Sequence, residues 1–284
     1  ELVSAMLNDS GYEETNDINL ADVIFVNTCA IREHAEDKVH SRLGFYYKIK
    51  NQKPSTIIGV LGCMAQNLKE DILESKPYVD IVLGPDSYRK LPDMLKDRSE
   101  SNKSHIVDTK LSKFEVYDNL FPSRKEGINA WVSIMRGCDK FCTFCIVPSV
   151  RGPEISRRPS DIINEAQELV ESGIKEITLL GQNVNSYGRD LKIDNKSRPY
   201  FAQLLHKLNE IDGLERIRFT SPHPKDFKEE TINAVKSLSK VCNQIHVPLQ
   251  SGSSDILSKM HRGYNKEKFI QKVDMIRGII PDVS

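Results

Sequence analysis

The run Ala130-Trp-Val-Ser-Ile-Met-Arg-Gly-Cys-Asp-Lys-Phe-Cys-Thr-Phe-Cys145 passes from an apolar, strand-like segment straight into a loop carrying Cys138, Cys142 and Cys145. The C-x3-C-x2-C spacing presents three thiolates from one loop and leaves a fourth ligand position open. Thiolates are soft ligands that suit iron-sulfur clusters or zinc. A closed structural zinc site wants a fourth ligand, typically from a second C-x2-C or a nearby His pair, and none follows. The spacing therefore favours a cluster held by three cysteines, with one iron left to bind something that reacts. The C-terminal end of a strand is also where parallel α/β folds place reactive groups, because the loops there converge on one opening.

Outward from this stretch the chain alternates apolar strand-like runs with helix-like periodicity, the pattern of an open parallel sheet flanked by helices. Before the loop, strands are expected at Ala21–Asn27, Thr56–Leu61 and Val79–Leu83. Helices are expected from the four-residue recurrence of Ile31, Ala35, Val39 and Leu43, and over Gln66–Ser75 and Tyr88–Lys96. Asp97–Gly127 is polar, contains Pro122 and loses periodicity apart from a short strand near Ile106. It reads as the link between domains. After it come strands Ala130–Arg136, Glu176–Leu180, Arg216–Thr220 and Gln244–Leu249. Ser160 is the expected N-cap of a helix ended by Gly173, and further helices carry Phe201 to Ile211, Phe227 to Leu238 and Phe269 to Ile279.

The fold class expected is thus α/β, an open parallel-sheet domain of flavodoxin or Rossmann type over 1–110, a linker over 111–126, and a partial (β/α) barrel of four strand-helix units over 127–284. Both ends read as cut. Leu2, Met6 and Leu7 already form one face of a helix, and the chain stops at Pro281-Asp-Val-Ser where a fifth strand is due.

With 284 residues, two domains are the better expectation than one core. Forty Lys and Arg balance forty Asp and Glu, so the whole-chain field does not announce a nucleic-acid binder, although charge can still cluster locally. The longest nearly apolar stretch, Ile57 to Ala65, is far too short to cross a bilayer. Six cysteines, three of them in a metal-like cluster, suit a reducing cytoplasm better than a disulfide framework.

Phe144, directly before the third cysteine, completes the form C-x3-C-x-aromatic-C, which resembles the radical S-adenosylmethionine (SAM) superfamily. The resemblance implies a 4Fe-4S cluster on Cys138, Cys142 and Cys145 that chelates SAM through its free iron, donates an electron and cleaves SAM to methionine and a 5′-deoxyadenosyl radical. Phe144 then packs on the SAM adenine or serves as a core aromatic.

Two further cysteines extend the resemblance. Cys29 lies in Asn27-Thr-Cys-Ala-Ile-Arg-Glu33 and Cys63 in Gly62-Cys-Met-Ala-Gln66, each where a strand turns toward a helix whose N-terminus favours thiolate. Neighbouring parallel strands bring both to one sheet edge. Alone they also fit buried small hydrophobes. Together with the cysteine loop, in this order, the segments are similar to the methylthiotransferase family of radical SAM enzymes across essentially the whole chain. The family implies an auxiliary 4Fe-4S cluster on Cys29, Cys63 and a third cysteine expected in a segment before Glu1.

The Cys29–Val39 stretch, Ser156-Arg-Arg-Pro159 and Leu180-Gly-Gln-Asn-Val-Asn-Ser-Tyr187 are most similar to the branch that adds a methylthio group to carbon 2 of isopentenyladenosine beside the tRNA anticodon. That chemistry uses two SAM molecules, for methylation of sulfur and for radical generation. The partners implied are a tRNA anticodon stem-loop, whose splayed bases are open to such chemistry, and an electron donor such as flavodoxin or ferredoxin, with no membrane. Sister branches act on threonylcarbamoyladenosine or on a ribosomal-protein aspartate. A zinc-stabilised RNA-binding module without catalysis is the alternative of another class.

Weaker candidates sit at other strand ends. Gln182 and Asn183 occupy the place where related enzymes bind the SAM amino group, although the usual Gly-Gly-Glu is absent, and loop packing is the rival. Gln250 stands in a similar position. Arg262 is a candidate partner for a carboxylate or phosphate, against a solvated surface arginine. Arg151, Arg157 and Arg158 form a basic patch suited to RNA phosphates, or simply a solvated loop. His223, His246 and Cys242 share no ligand spacing and read as packing residues.

Overall fold

The structure is a computed structural model that describes residues 1–30, 33–100, 105–113, 115–117, 127–191 and 201–284. It forms two compact units. One is Glu1–Arg124 together with Ser149–Arg151, and the other is Lys125–Pro148 together with Gly152–Ser284. The stretch expected as one domain over 127–284 is therefore interrupted, because Ser149–Arg151 belongs with the first unit.

In the first unit α1 (Leu2–Asp9) precedes β1 (Val23–Thr28), α2 (Glu33–Gln52), β2 (Ile57–Gly62), α3 (Cys63–Leu68), α4 (Asp71–Ser75), β3 (Ile81–Leu83), α5 (Leu91–Glu100) and β4 (Ile106–Asp108). The four strands form one parallel sheet in the order β1-β2-β3-β4. The two-residue period of the strands sorts their side chains onto two faces. Ile58, Val60 and Val82 pack with Val39 and Leu43 of α2, Met64 of α3 and Ile72 of α4. Leu61, Ile81 and Leu83 pack with Met6 of α1 and with Leu91 and Leu95 of α5.

Two expectations change here. The single helix over Gln66–Ser75 is two, broken where Lys69 takes a left-handed φ of 49°. The short strand near Ile106 is a full member of the sheet, since Ile106, Val107 and Asp108 pair with Ile81, Val82 and Leu83. Ile31, the first residue of the expected helical stripe, lies outside the described residues.

The second unit runs through β5 (Asn129–Ser133), β6 (Met135–Arg136), the start of α6 (Val147–Arg151), whose last three residues group with the first unit, β7 (Ile155–Ser156), α7 (Pro159–Glu171), β8 (Glu176–Leu180), α8 (Phe201–Asn209), β9 (Arg216–Phe219), α9 (Glu229–Ser237), α10 (Ser254–Lys259) and α11 (Lys266–Ile279). Strands β5, β8 and β9 form a parallel sheet in that order, while β6 and β7 make a separate antiparallel pair. Val132, Leu179 and Phe219 share a core with Ile162 of α7, Leu205 of α8 and Ile232 of α9.

The expected strand Ala130–Arg136 is split between two sheets. The helix expected to be capped by Ser160 instead begins at Pro159, whose fixed φ and missing N–H suit a first helical position, and the Ser160 hydroxyl bonds the Asp161 carboxylate. Gln244–Leu249 forms no strand, so three strands rather than four make up the parallel sheet. Pro248 has no N–H to give a ladder, its carbonyl accepts from Arg262 and Tyr264, and the Leu249 carbonyl accepts from Tyr264.

Asp80, immediately before β3, fastens the first unit. One carboxylate oxygen accepts from the Ile58 amide at 2.8 Å and from Lys50, and the other accepts from Arg98 at 2.9 Å. The carboxylate is buried while Lys50 and Arg98 retain access to solvent. Asp80→Ala strands the Ile58 amide but lets both cations rehydrate, so the cost expected is on the order of 2–3 kcal/mol. Urea unfolding followed on the first unit checks it, and an unchanged midpoint would contradict this role.

Candidate functional site

The cysteine loop is shaped by what happens at Gly137. There the chain leaves β6 with φ of +73°, and a Cβ would lie 1.8 Å from the Pro153 carbonyl oxygen, so only glycine permits the approach. The Cys138 amide then donates to the Gly152 carbonyl at 3.1 Å. With the β6–β7 pair, these contacts close the base of the loop. Within it the Cys145 amide donates to the Cys142 carbonyl. The Thr143 hydroxyl donates to the Lys259 carbonyl at 2.9 Å, holding the loop to the C-terminal end of α10.

Cys138 and Cys142 are buried and Cys145 is half-buried. Burial, followed after the opposing Lys140 amide by the nearby Glu154 carboxylate and the Cys145 and Cys142 thiols, pushes the Cys138 thiol up to about 11. Cys138 thus feels the other two sulfurs. Among the described residues no three His, Cys, Asp or Glu side chains converge closely enough to hold a single metal ion. An iron-sulfur cluster needs no such point, since each thiolate binds a different iron of an extended group, and three soft donors from one loop, two of them buried, fit it.

Arg262 is not a solvated surface arginine. It is 5% exposed, donating to Cys142 Sγ at 3.4 Å, to the Tyr264 hydroxyl at 3.0 Å and to the Pro248 carbonyl at 3.3 Å. A guanidinium so placed fixes the Cys142 sulfur and sets positive charge beside it.

A second set of polar groups stands around the buried Asp226, which follows β9. Its carboxylate pairs with Lys140 from the cysteine loop and with Arg189, each at 2.6 Å, and accepts from Asn183 Nδ2 at 2.8 Å. Burial raises its pKa, but these partners overcome that and hold it below the usual carboxylate range. Asn183, 1% exposed, gives its other amide hydrogen to Glu154. Both donors are committed, so Asn183 Oδ1 is an acceptor without a partner among the described residues; Gln182 Oε1 is another.

The remaining candidates are dispersed. Phe144 is 52% exposed, and Gln250 is exposed on a left-handed backbone with φ of 75°. The three arginines have different surroundings. Arg157 is buried, ion-paired to Glu165 at 2.6 Å and bonded to the Ser133 carbonyl, so its charge is committed to the interior. Arg158 is exposed just ahead of α7, and Arg151 lies in the first unit with its Nε 3.1 Å from Cys63 Sγ.

In the first unit, Thr28 and Gly62 are register partners at the ends of β1 and β2, so Cys29 and Cys63 follow at one sheet edge. A Cβ on Gly62, with φ of +98°, would come within 2.5 Å of the Thr28 carbonyl oxygen. Cys63 opens α3 and is buried; Cys29 is exposed and stands four residues before α2 rather than at its first turn. Two soft donors at adjacent strand ends fit part of a three-cysteine site.

Sequence reasoning missed Lys140, Glu154, Asp226 and Arg189, which have no spacing signature. Lys140, between two of the cysteines, carried the one available hint. His223 was read as packing, and the structure gives it a defined state. Burial first, then Arg262, with Lys140 and Lys225 adding to it against Asp226, depresses it to about 4. Its Nδ1 accepts from the Lys225 amide at 3.2 Å, so the neutral ring carries its proton on Nε2.

Parallel sheets with helices and a three-cysteine loop at a strand end are the features of a radical SAM protein, and the chain belongs to that superfamily. The family model Radical SAM superfamily matches residues 132–284, and uncharacterized protein family UPF0004 matches residues 1–84. Over its whole length the chain is similar to proteins named tRNA-2-methylthio-N(6)-dimethylallyladenosine synthase. It is 45% identical to that of Caldicellulosiruptor saccharolyticus, 46% to that of Thermoanaerobacter pseudethanolicus and 47% to that of Clostridium tetani. It spans 60%, 60% and 62% of their respective lengths.

Solved structures share the fold. The cobalamin-dependent SAM radical enzyme OxsB with aqua-cobalamin bound is 17% identical with a TM-score of 0.59, covering 91% of this chain and 40% of OxsB. The radical SAM methyltransferase TsrM from Kitasatospora setae, with tryptophan and aza-SAM bound, is 13% identical with a TM-score of 0.60, covering 98% of this chain and 57% of TsrM.

The state of His223 is testable. The folded state takes its proton near pH 4 and the unfolded chain near 6.5, so the stability it contributes is complete above pH 6.5 and is lost as pH falls toward 4. The loss is on the order of 2–3 kcal/mol. NMR titration of the ring, assigned with His223→Gln, is expected to show a midpoint near 4; a midpoint near 6.5 would show that the ring is not buried as described.

Proposed function

We propose that this chain is the catalytic portion of a cytoplasmic tRNA methylthiotransferase, acting at carbon 2 of isopentenyladenosine beside the anticodon and using two 4Fe-4S clusters and two SAM molecules. The observation that carries the reading is the three-thiol loop with Arg262 on Cys142, leaving the short strand β6. Its similarity to the synthases named above supports the choice of substrate.

Cys138, Cys142 and Cys145 are the residues to hold the first cluster, and Cys29 and Cys63 supply two ligands of an auxiliary one. When bound, the first cluster supplies the electron for reductive cleavage of SAM, and the auxiliary cluster supplies the sulfur site. The protein's own residues position and shield. Arg262 keeps the Cys142 sulfur oriented and offsets thiolate charge. Asp226, satisfied by Lys140, Arg189 and Asn183, locks the amide of Asn183 so that Oδ1 is left to accept a hydrogen bond. Gln182 and Asn183 are then suited to the SAM ammonium group and Phe144 to its adenine. Gln250 is a further SAM contact, and Arg158 is the arginine left exposed for RNA phosphate. A flavodoxin or ferredoxin is the expected source of electrons.

Two outcomes test this directly. Cys138→Ala, Cys142→Ala and Cys145→Ala in the complete, anaerobically loaded protein are each expected to lower iron content and abolish 5′-deoxyadenosine formation. Full 5′-deoxyadenosine production by one of the three would overturn the loop's role.

For substrate choice, anticodon stem-loops carrying isopentenyladenosine, threonylcarbamoyladenosine or unmodified adenosine are compared side by side. An apolar prenyl group buried at roughly 25 cal/mol per Å2 contributes on the order of 2–3 kcal/mol, so the isopentenyl RNA is expected to react at least tenfold faster than the unmodified one. Preference for the threonylcarbamoyl RNA would move the protein to a sister activity.

A further inference from the structure

Arg151 sits in a loop whose basic residues suggest nucleic acid, yet its Nε lies 3.1 Å from Cys63 Sγ. It belongs to the short segment Ser149–Arg151 that packs with the first unit, apart from its chain neighbours. The contact is built rather than incidental. Cys63 is held at the first position of α3 by the tight approach of Gly62 to Thr28.

We propose that Arg151 is a positioning residue for the auxiliary cluster, its guanidinium donating to the Cys63 sulfur and setting the cluster's reduction potential. The inference rests on the reading of Cys29 and Cys63 as ligands given above. Reduction adds one electron, and so one negative charge, to a group whose ligands are already anionic thiolates. A fixed cation with an N–H directed at a ligand sulfur stabilises the reduced form more than the oxidised form and raises the potential. An RNA-phosphate role would leave the potential untouched.

The test uses the complete protein, loaded anaerobically with iron and sulfide, in the background Cys138→Ala, Cys142→Ala, Cys145→Ala, so that only the auxiliary site can hold a cluster. Potentiometric titration followed by EPR is carried out with Arg151, Arg151→Lys and Arg151→Gln. The expected result is a lower midpoint potential for Arg151→Gln, with Arg151→Lys between it and the parent and four irons per chain retained by the parent. If Arg151→Gln fails to keep its cluster, the Lys variant, which keeps the charge but loses the fork geometry, must still shift. Unchanged potentials in variants that retain their iron would overturn the role of Arg151 while leaving the cluster in place. Absence of iron from the triple-cysteine background before Arg151 is altered would remove the cluster reading and this inference with it.

Discussion

The buried carboxylate of Asp226 is the constraint from which the second unit's site follows. A charge taken out of water is tolerated only with partners that satisfy it, and Asp226 draws one, Lys140, from the cysteine loop after β6 and two, Asn183 and Arg189, from the segment after β8. These contacts fix three otherwise independent loops relative to one another. They also orient Asn183, because an amide whose two hydrogens are both claimed has only one way to face. The polar network is thus structural and, by the same bonds, sets which acceptor atoms are left over.

Both units place a guanidinium on a cysteine sulfur. Arg262 reaches Cys142 in one, and Arg151 reaches Cys63 in the other. Arginine meets each sulfur with a rigid, directional fork and little tendency to lose its proton. Neither arginine is adjacent in sequence to the cysteine it serves. A glycine with positive φ turns the backbone tightly just before a cysteine in each unit, Gly62 before Cys63 and Gly137 before Cys138.

Much of the fold was legible because hydrophobic period reports which face of an element is buried. The strands at β1, β2 and β8 lie within two residues of the expected positions, since each is a run of β-branched and aliphatic residues bounded by polar ones. The failures have local causes. The run over Ala130–Arg136 is continuous in composition, but its last two residues pair with β7 rather than with the parallel sheet. Gln244–Leu249 has the composition of a strand, yet Pro248 and the side chains of Arg262 and Tyr264 divert its backbone hydrogen bonds.

By itself, the sequence determined the parallel α/β character of both units, the three-thiol loop and the resemblance it carries, because those depend on spacing along the chain. Which charges are interior was decided only by tertiary structure. Arg151, Arg157 and Arg158 look alike in sequence, but one meets a cysteine sulfur, one is buried against Glu165 and one is exposed. A charged side chain's role is set by the partner that compensates its loss of water, and that partner stands 8 residues away for Arg157 and 88 away for Arg151, distances at which no periodic pattern in the chain records the contact.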